Sequence, residues 1–331
     1  MLTWWVIKNW RKHMKRIVTL VLIVALLVPT VLFAAGAKEA AAKETYIAVI
    51  SMGYMHEYWQ AVRLGTENAA KELGIRTTYE APPSEDMVDL QINMVENAIQ
   101  TKPDGLLLAP LDAEALVPYI DKAVKAGIPV VLFDAGANTD TFASLVATNN
   151  ENAGAIAAQN MIRLLGDKGT IGLIVHSATD QSAIKRRDGF LNYMKANSKI
   201  NVLPPVYSGG EHEESANLMV DLLRANPDIA GVYATNEGAA VGAGIGAKEA
   251  GKAGKVTIVG FDSGAQQISF LEDGTIAGFV SQDPVTIGYL GVKTLYDVLQ
   301  GKPVEVEIDT GAVFVDLSNL HDDHVQQIIY Q

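Results

Sequence analysis

Short runs that are almost wholly apolar recur along this chain, and a helix-length amphipathic stretch follows most of them. IGLIV (171–175) and VTIVGF (256–261) show none of the in–out alternation of a strand with one wet face. Runs of this kind belong to parallel strands covered by helices on both sides. Candidate strands are 46–51, 76–79, 105–108, 129–133, 170–175, 202–207, 231–234, 257–261 and 277–281. Helical patterning fills most intervals, as in 59–73 and 87–100, and glycine punctuates helix ends at ELGI, KAGI and LLGD. Such β–α alternation predicts a parallel, doubly wound α/β architecture. The rhythm runs through 46–133 and again through 144–281, so two similar lobes are expected.

In sheets of this class ligands bind beyond the carboxyl ends of the strands, so the residues just past each strand carry the functional signal. After the first strand comes GYMHEYW (53–59), with His56, Tyr58 and Trp59. After VVLF stands Asp134, after YAT stand Asn236 and Glu237, after IVGF stands Asp262, and after GFVS stands Gln282. Arg186 follows GLIVHSATD at a short distance, in KRRDGF. Planar side chains with several donors or acceptors can each bond neighbouring hydroxyls. Flat aromatic rings can cover the C–H face of a sugar. The set His56, Tyr58, Trp59, Asp134, Arg186, Asn236, Asp262 and Gln282 therefore reads as a site for a small polyol. Position alone leaves other roles open: core packing for the aromatics, N-caps for Asp134, Asp262 and Asn236, a hinge residue for Gln282. His176 reads as a near-core residue.

The chain resembles the ribose-type periplasmic sugar-binding proteins of ABC transporters over about 290 residues after its N-terminal segment. The matching stretches include YIAVISMGYMHEYWQAVRLGTENAAKELG, KPDGLLLAPLDAEAL, AGIPVVLFDAGA, ATNNENAGAIAA, RRDGF, ANPDIAGVYATNEGAAVGA, VTIVGFDSG and SQDPVTIGYLGV. The resemblance implies a type I periplasmic binding protein: two Rossmann-like lobes joined by a three-strand hinge that close over a monosaccharide. The implied lobes are 46–148 plus 283–311 and 149–282 plus 312–331, with hinge crossings near 145–149, 282–284 and 309–313. It makes Tyr58 and Trp59 the rings that stack on the sugar, and Asp134, Arg186, Asn236, Asp262 and Gln282 hydroxyl readers, with Arg186 a partner of Asp262. His56 stands where many members have a polar residue. Two departures argue against ribose itself. Ala135 replaces an arginine after the fourth-strand aspartate, and Gly209 and Gly210 stand where a second-lobe aromatic is expected. The implied partners are a sugar or polyol and an ABC permease, or a chemoreceptor, with the protein a monomer.

The N-terminus reads as an export signal. Lys15 and Arg16 precede an apolar run from Ile17 to Val28, and A-G-A at 35–37 fits a cleavage site. Residues 1–13 fit no part of a signal, so Met14 is the expected start; the alternative for 17–35 is an uncleaved anchor of borderline length. KEAAAKE, within a linker at 38–45, is helix-prone. Removing residues 1–37 leaves 21 basic and 38 acidic residues, a net charge of −17. That acidity, without a basic stripe, speaks against nucleic acid. The absence of cysteine excludes a disulfide framework and a lipoprotein anchor. The expected location is the periplasm.

Three further motifs are read as structural. GAAVGAGIGA (238–247) lacks G-x-G-x-x-G and lies inside a helix, so its glycines serve close helix packing, with no cofactor expected. HDDH (321–324) has metal-like spacing in polar company near the C-terminus, and no metal is expected. Asp134 and Asp262 could suggest a glycosidase pair, but neither stands in an obviously apolar niche, so no enzyme is expected. A lactose-repressor-type regulator shares the fold but needs a DNA-binding module where this chain has an export signal.

Overall fold

The structure, a computed structural model, describes residues 44–330 together with Trp10 and Met14. The proposed export signal and almost all of the linker lie outside the described residues. From Thr45 onward the chain forms one compact unit built on two sheets.

The first sheet contains β1 (Tyr46–Ile50), β2 (Arg76–Glu80), β3 (Gly105–Leu108), β4 (Val130–Phe133), β5 (Ser144–Ala147) and β12 (Glu307–Asp309), in spatial order β2-β1-β3-β4-β5-β12. All its pairings are parallel. The second sheet contains β6 (Thr170–Val175), β7 (Asn201–Val202), β8 (Val206–Tyr207), β9 (Gly231–Ala234), β10 (Thr257–Phe261), β11 (Gly278–Ser281) and β13 (Val313–Val315). Its order is β7-β6-β9-β10-β11-β13, with β8 also on β6, and only β13 runs antiparallel, against β11. The ten helices described are α1 (Glu57–Leu73), α2 (Val88–Thr101), α3 (Val117–Lys125), α4 (Asn150–Leu165), α5 (Gln181–Asn197), α6 (His212–Ala225), α7 (Glu237–Glu249), α8 (Ala265–Glu272), α9 (Pro284–Leu299) and α10 (Asp323–Gln326).

The apolar strands behave as their sequences demand. Ile47, Val49, Leu107, Val131, Phe133 and Val146 enter a core with α1 and α9. Their chain neighbours Ala48, Ile50, Leu106, Leu108, Val130 and Leu132 enter another, with α2 and α3, on the opposite face. The second sheet repeats this with α4 and α5 on one face and α6 and α7 on the other. The chain passes between the sheets three times: after β5, after β11 and between β12 and β13.

Two expectations need correction. Residues 144–147 belong to the first sheet, because β5 pairs in register with β4 and β12. The strand expected over 202–207 is broken into β7 and β8 by Pro204 and Pro205, whose nitrogens carry no N–H for a ladder.

Glycine sets the spacing of three helix pairs. A Cβ on Gly65 of α1 would lie 2.0 Å from the Val285 carbonyl oxygen of α9, and one on Gly189 of α5 would lie 2.0 Å from that of Glu151 in α4. Gly242 and Gly246 of α7 approach α6 in the same way, so the GAAVGAGIGA run does serve helix packing. Gly65→Ala must push α1 from α9, and we expect a loss of roughly 1–3 kcal/mol in unfolding free energy, read by chemical denaturation.

Candidate functional site

The carboxyl ends of strands from both sheets converge on one small cavity, where ligands of such folds bind. The sequence-selected residues His56, Tyr58, Trp59, Asp134, Arg186, Asn236, Asp262 and Gln282 all line it. The first sheet delivers His56, Tyr58 and Trp59 from the turn after β1 and the start of α1, and Asp134 from the end of β4. The second delivers Arg186 on α5, Asn236 after β9, Asp262 after β10 and Gln282 after β11.

The two aspartates are placed by the same device. FDAG and FDSG put Asp134 and Asp262 at the strand ends with φ of 63° and 72°, a left-handed conformation that Asp tolerates better than most residues. Each backbone N–H continues the ladder to the next strand, Asp134 to the Val146 carbonyl at 2.9 Å and Asp262 to that of Val280 at 2.8 Å. The carboxylates are then anchored. Tyr58 Oη donates to Asp134 Oδ1. Gln282 Nε2 donates to Asp262 Oδ1 at 2.9 Å, and the Glu237 N–H donates to its Oδ2 at 3.0 Å.

The aromatics serve two roles at once. Tyr58 and Trp59 line the cavity and also belong to the first core, where Trp59 stands edge-on to Phe133 with ring centroids 6.4 Å apart. Asn236 is the N-cap of α7, accepting the Ala239 N–H at 2.8 Å, while its amide faces the cavity. Arg186 is buried, with its guanidinium 3.7 Å from the Phe261 ring centroid. Its Nε donates to Asn150 Oδ1 at 2.7 Å and its Nη1 to the Thr235 carbonyl at 2.9 Å. The expected direct pairing with Asp262 is therefore replaced, among the described residues, by bonds to neutral oxygens; Asp262 acts on Arg186 only through space. His176 is the buried, satisfied residue expected of it, bonded to Thr235 Oγ1 at 2.7 Å and Asp180 Oδ2 at 3.0 Å, and it lines the cavity as well. The HDDH residues are exposed, and no cluster of metal-ligating side chains exists among the described residues.

Two carboxylates escaped the sequence-selected set. Glu237 stands beside Asn236 but was not counted with the binding residues. Glu85 lies in EAPPSED, beyond the carboxyl end of β2, where the strand-end rule applies but the proline pair suggests a mere connector. Glu85 accepts the Trp59 indole N–H at 2.7 Å and the Asn236 amide at 3.0 Å. It also explains Gly210. A Cβ there would lie 2.8 Å from Glu85 Oε2, so the missing ring leaves room that a carboxylate fills.

The model of the periplasmic binding protein domain matches residues 47–303 of this chain. The chain is 30% identical to the ribose import binding protein of Escherichia coli over 298 residues, covering 89% of this chain and 96% of that protein. It is also 30% identical to the D-allose-binding periplasmic protein of E. coli over 261 residues, 76% and 83% of the two chains. Among solved structures, an ABC transporter solute-binding protein from Agrobacterium vitis with bound D-fucose superimposes with a TM-score of 0.84 at 38% identity, covering 86% of this chain and all of that one. A carbohydrate transporter solute-binding protein from Agrobacterium radiobacter, in complex with D-arabinose, gives 0.84 at 34% identity, with 88% and 100% covered.

Burial governs the ionisable groups of the cavity. It pushes the carboxyls of Glu85, Asp134 and Glu237 up to about 7, with Asp262 adding repulsion in each case. It pushes His56 down to about 4, and both ring nitrogens of that residue lack a hydrogen-bond partner among the described residues. The imidazole is thus neutral at pH 7, with one donor and one acceptor to offer a ligand. Since the unfolded chain binds a proton at His56 near pH 6.5 and the folded one near 4, this residue costs stability as pH falls between those values. The three carboxyls act in the opposite sense, favouring the folded state as pH falls from about 7. We expect the unfolding free energy of His56→Gln to gain on wild type by roughly 3 kcal/mol between pH 7 and pH 4, read by urea titrations across that range; parallel pH profiles would refute the neutral, buried His56.

Proposed function

Because the chain belongs to the periplasmic binding protein family, we propose that its cleft captures a monosaccharide or a closely related polyol and presents it to an ABC transporter permease. The observation that carries this reading is the meeting of two strand-end aspartates, one from each sheet, with Arg186, Tyr58 and Trp59 around a single cavity. Carboxylates and a guanidinium read hydroxyl positions by paired bonds, and the rings cover the apolar face. The relatives are named as binding proteins, and the chain's work is likewise capture without chemical change. A chemoreceptor is the second kind of partner that fits.

Capture works by differential affinity. A ligand touching side chains from both sheets binds the closed arrangement best and shifts the equilibrium towards it. The three crossings form the hinge. Thr148 Oγ1 on the first lies 2.8 Å from Gln282 Oε1 on the second and 3.2 Å from the Gly311 carbonyl on the third, so one hydroxyl gathers all three. Gln282 carries that grouping to the site through Asp262. Those crossings support lobes at 46–148 plus 283–311 and 149–282 plus 312–331.

Ala135 and Gly210 remove a guanidinium and a ring from the pattern of ribose binders, and Glu85 adds a carboxylate. These departures support a monosaccharide or polyol other than ribose as the ligand. Family membership supports a periplasmic location; residues 1–37 are the proposed export signal, a cut that N-terminal sequencing of the mature protein reads directly.

The deciding experiment is a thermal-shift panel on protein unfolded and refolded to strip carried-over sugar, against D-fucose, D-arabinose, D-allose, D-ribose and sugar alcohols. A one-site ligand at a thousandfold excess over Kd adds about 4 kcal/mol, enough to raise Tm by several degrees. For the ligand so found, Asp262→Ala should weaken binding by roughly 2–4 kcal/mol in calorimetry. A flat panel would sink the monosaccharide reading, and undiminished affinity in Asp262→Ala would sink the assigned site.

A further inference from the structure

Two helices that face the cleft begin without a cap of their own. His56, at the N-cap of α1, and Gly264, at the N-cap of α8, make no side-chain capping bond. Asn149, Asp180, Asn236 and Asp283 cap their own helices, while α2, α3, α6 and α10, like α1 and α8, have no side-chain cap. The first N–H groups of a helix need acceptors, and carboxylates suit them best because of the positive end of the helix dipole. Both acceptors here come from across the cleft. Glu237, at the start of α7 over the second sheet, takes the N–H of Glu57 at 3.0 Å and that of Tyr58 at 3.0 Å, the first two residues of α1. Glu57 in turn takes the N–H of Ala265, the first residue of α8, at 2.6 Å. Gly264 makes room for the pair: a Cβ there would lie 3.0 Å from both the Glu237 carboxyl carbon and Glu57 Oε2. Tyr330, packed in the first core, adds its hydroxyl to Glu237 Oε2 at 3.2 Å.

We infer that Glu57 and Glu237 are positioning residues for capture: two helix caps laid across the cleft, Glu237 on α1 and Glu57 on α8, that exist only when the cleft is shut, and that hold Tyr58 and Trp59 against the ligand. This rests on the capture reading, but none of these bonds uses a ligand atom. Each glutamate bonds backbone that belongs to the opposite sheet's layers, so opening the cleft breaks all three backbone bonds together and leaves the starts of α1 and α8 to water. The pair therefore biases the open–closed equilibrium itself, and slows ligand escape rather than selecting which ligand enters. Glu57 is the sharper probe, because it is exposed and lies off the cavity lining.

The test uses Glu57→Ala, Glu57→Gln and Glu237→Gln. Small-angle scattering of the refolded, ligand-free proteins reads closure, and stopped-flow fluorescence reads association and dissociation of D-fucose, with D-arabinose as the second probe. The expected result for Glu57→Ala is a larger radius of gyration, a dissociation rate raised roughly tenfold, an unchanged association rate and a Tm lowered by no more than a few degrees. Glu57→Gln, which keeps an acceptor oxygen, should fall between it and wild type. A helix cap with a purely local role would leave the radius of gyration and the dissociation rate unmoved, and that result in Glu57→Ala overturns the inference even if Glu237→Gln fails to fold. If neither sugar binds wild type, the monosaccharide reading suffers, while expansion of ligand-free Glu57→Ala still upholds the latch and unchanged scattering still overturns it.

Discussion

The Asp262 carboxylate is the point on which the site and the closure both turn. One oxygen accepts the Gln282 amide and the other the Glu237 N–H. Gln282 belongs to the crossings through Thr148, and Glu237 begins the helix that reaches over to α1. A single buried acceptor thus ties the crossings, the binding surface and the start of α7 into one bonded group. Its left-handed backbone is the local cost of aiming it there. The surrounding ladder holds that conformation, since the same residue's N–H is fixed to Val280.

The arrangement is economical because the two sheets repeat one plan. Their strand orders correspond, β2-β1-β3-β4-β5-β12 against β7-β6-β9-β10-β11-β13, and FDAG and FDSG end corresponding strands. Each half supplies one aspartate in the same conformation. Glycines on α1, α5 and α7 bring neighbouring helices to backbone contact, which keeps the layers thin and the strand ends rigidly placed. The differences between the halves lie in what surrounds each aspartate. Asp134 is held by a tyrosine hydroxyl and its carboxyl is raised to about 7, burial being the main cause. Asp262 has an amide and a backbone N–H.

Much of this was legible in the chain. Apolar runs without alternation mean strands covered on both faces, and the residues past such strands are where the topology leaves side chains free to converge. The eight residues selected that way all stand on the cavity wall. That logic overlooked Glu85, because two prolines beyond β2 look like a connector when nothing shows what stands opposite them. It underused Glu237, because a glutamate at a helix start has an ordinary explanation until another helix's N–H groups are seen at 3.0 Å from it. His176 was assigned to the near-core, and it is both buried and part of the cavity wall.

What the sequence determined by itself was periodic and local: strand and helix identity, the doubly wound class, the strand-end positions of Asp134 and Asp262, and the glycine-lined helix faces. These follow from side-chain period, backbone freedom and chain order, which neighbouring residues specify. What only the tertiary structure decided was pairing across distance. That Glu85 fills the space left by Gly210, that Arg186 bonds Asn150 and Thr235 in place of Asp262, and that Glu237 caps α1 while Glu57 caps α8 could not be read from the chain. Such contacts join residues tens to hundreds of positions apart, and a hydrogen bond depends on tenths of an ångström that no local pattern encodes.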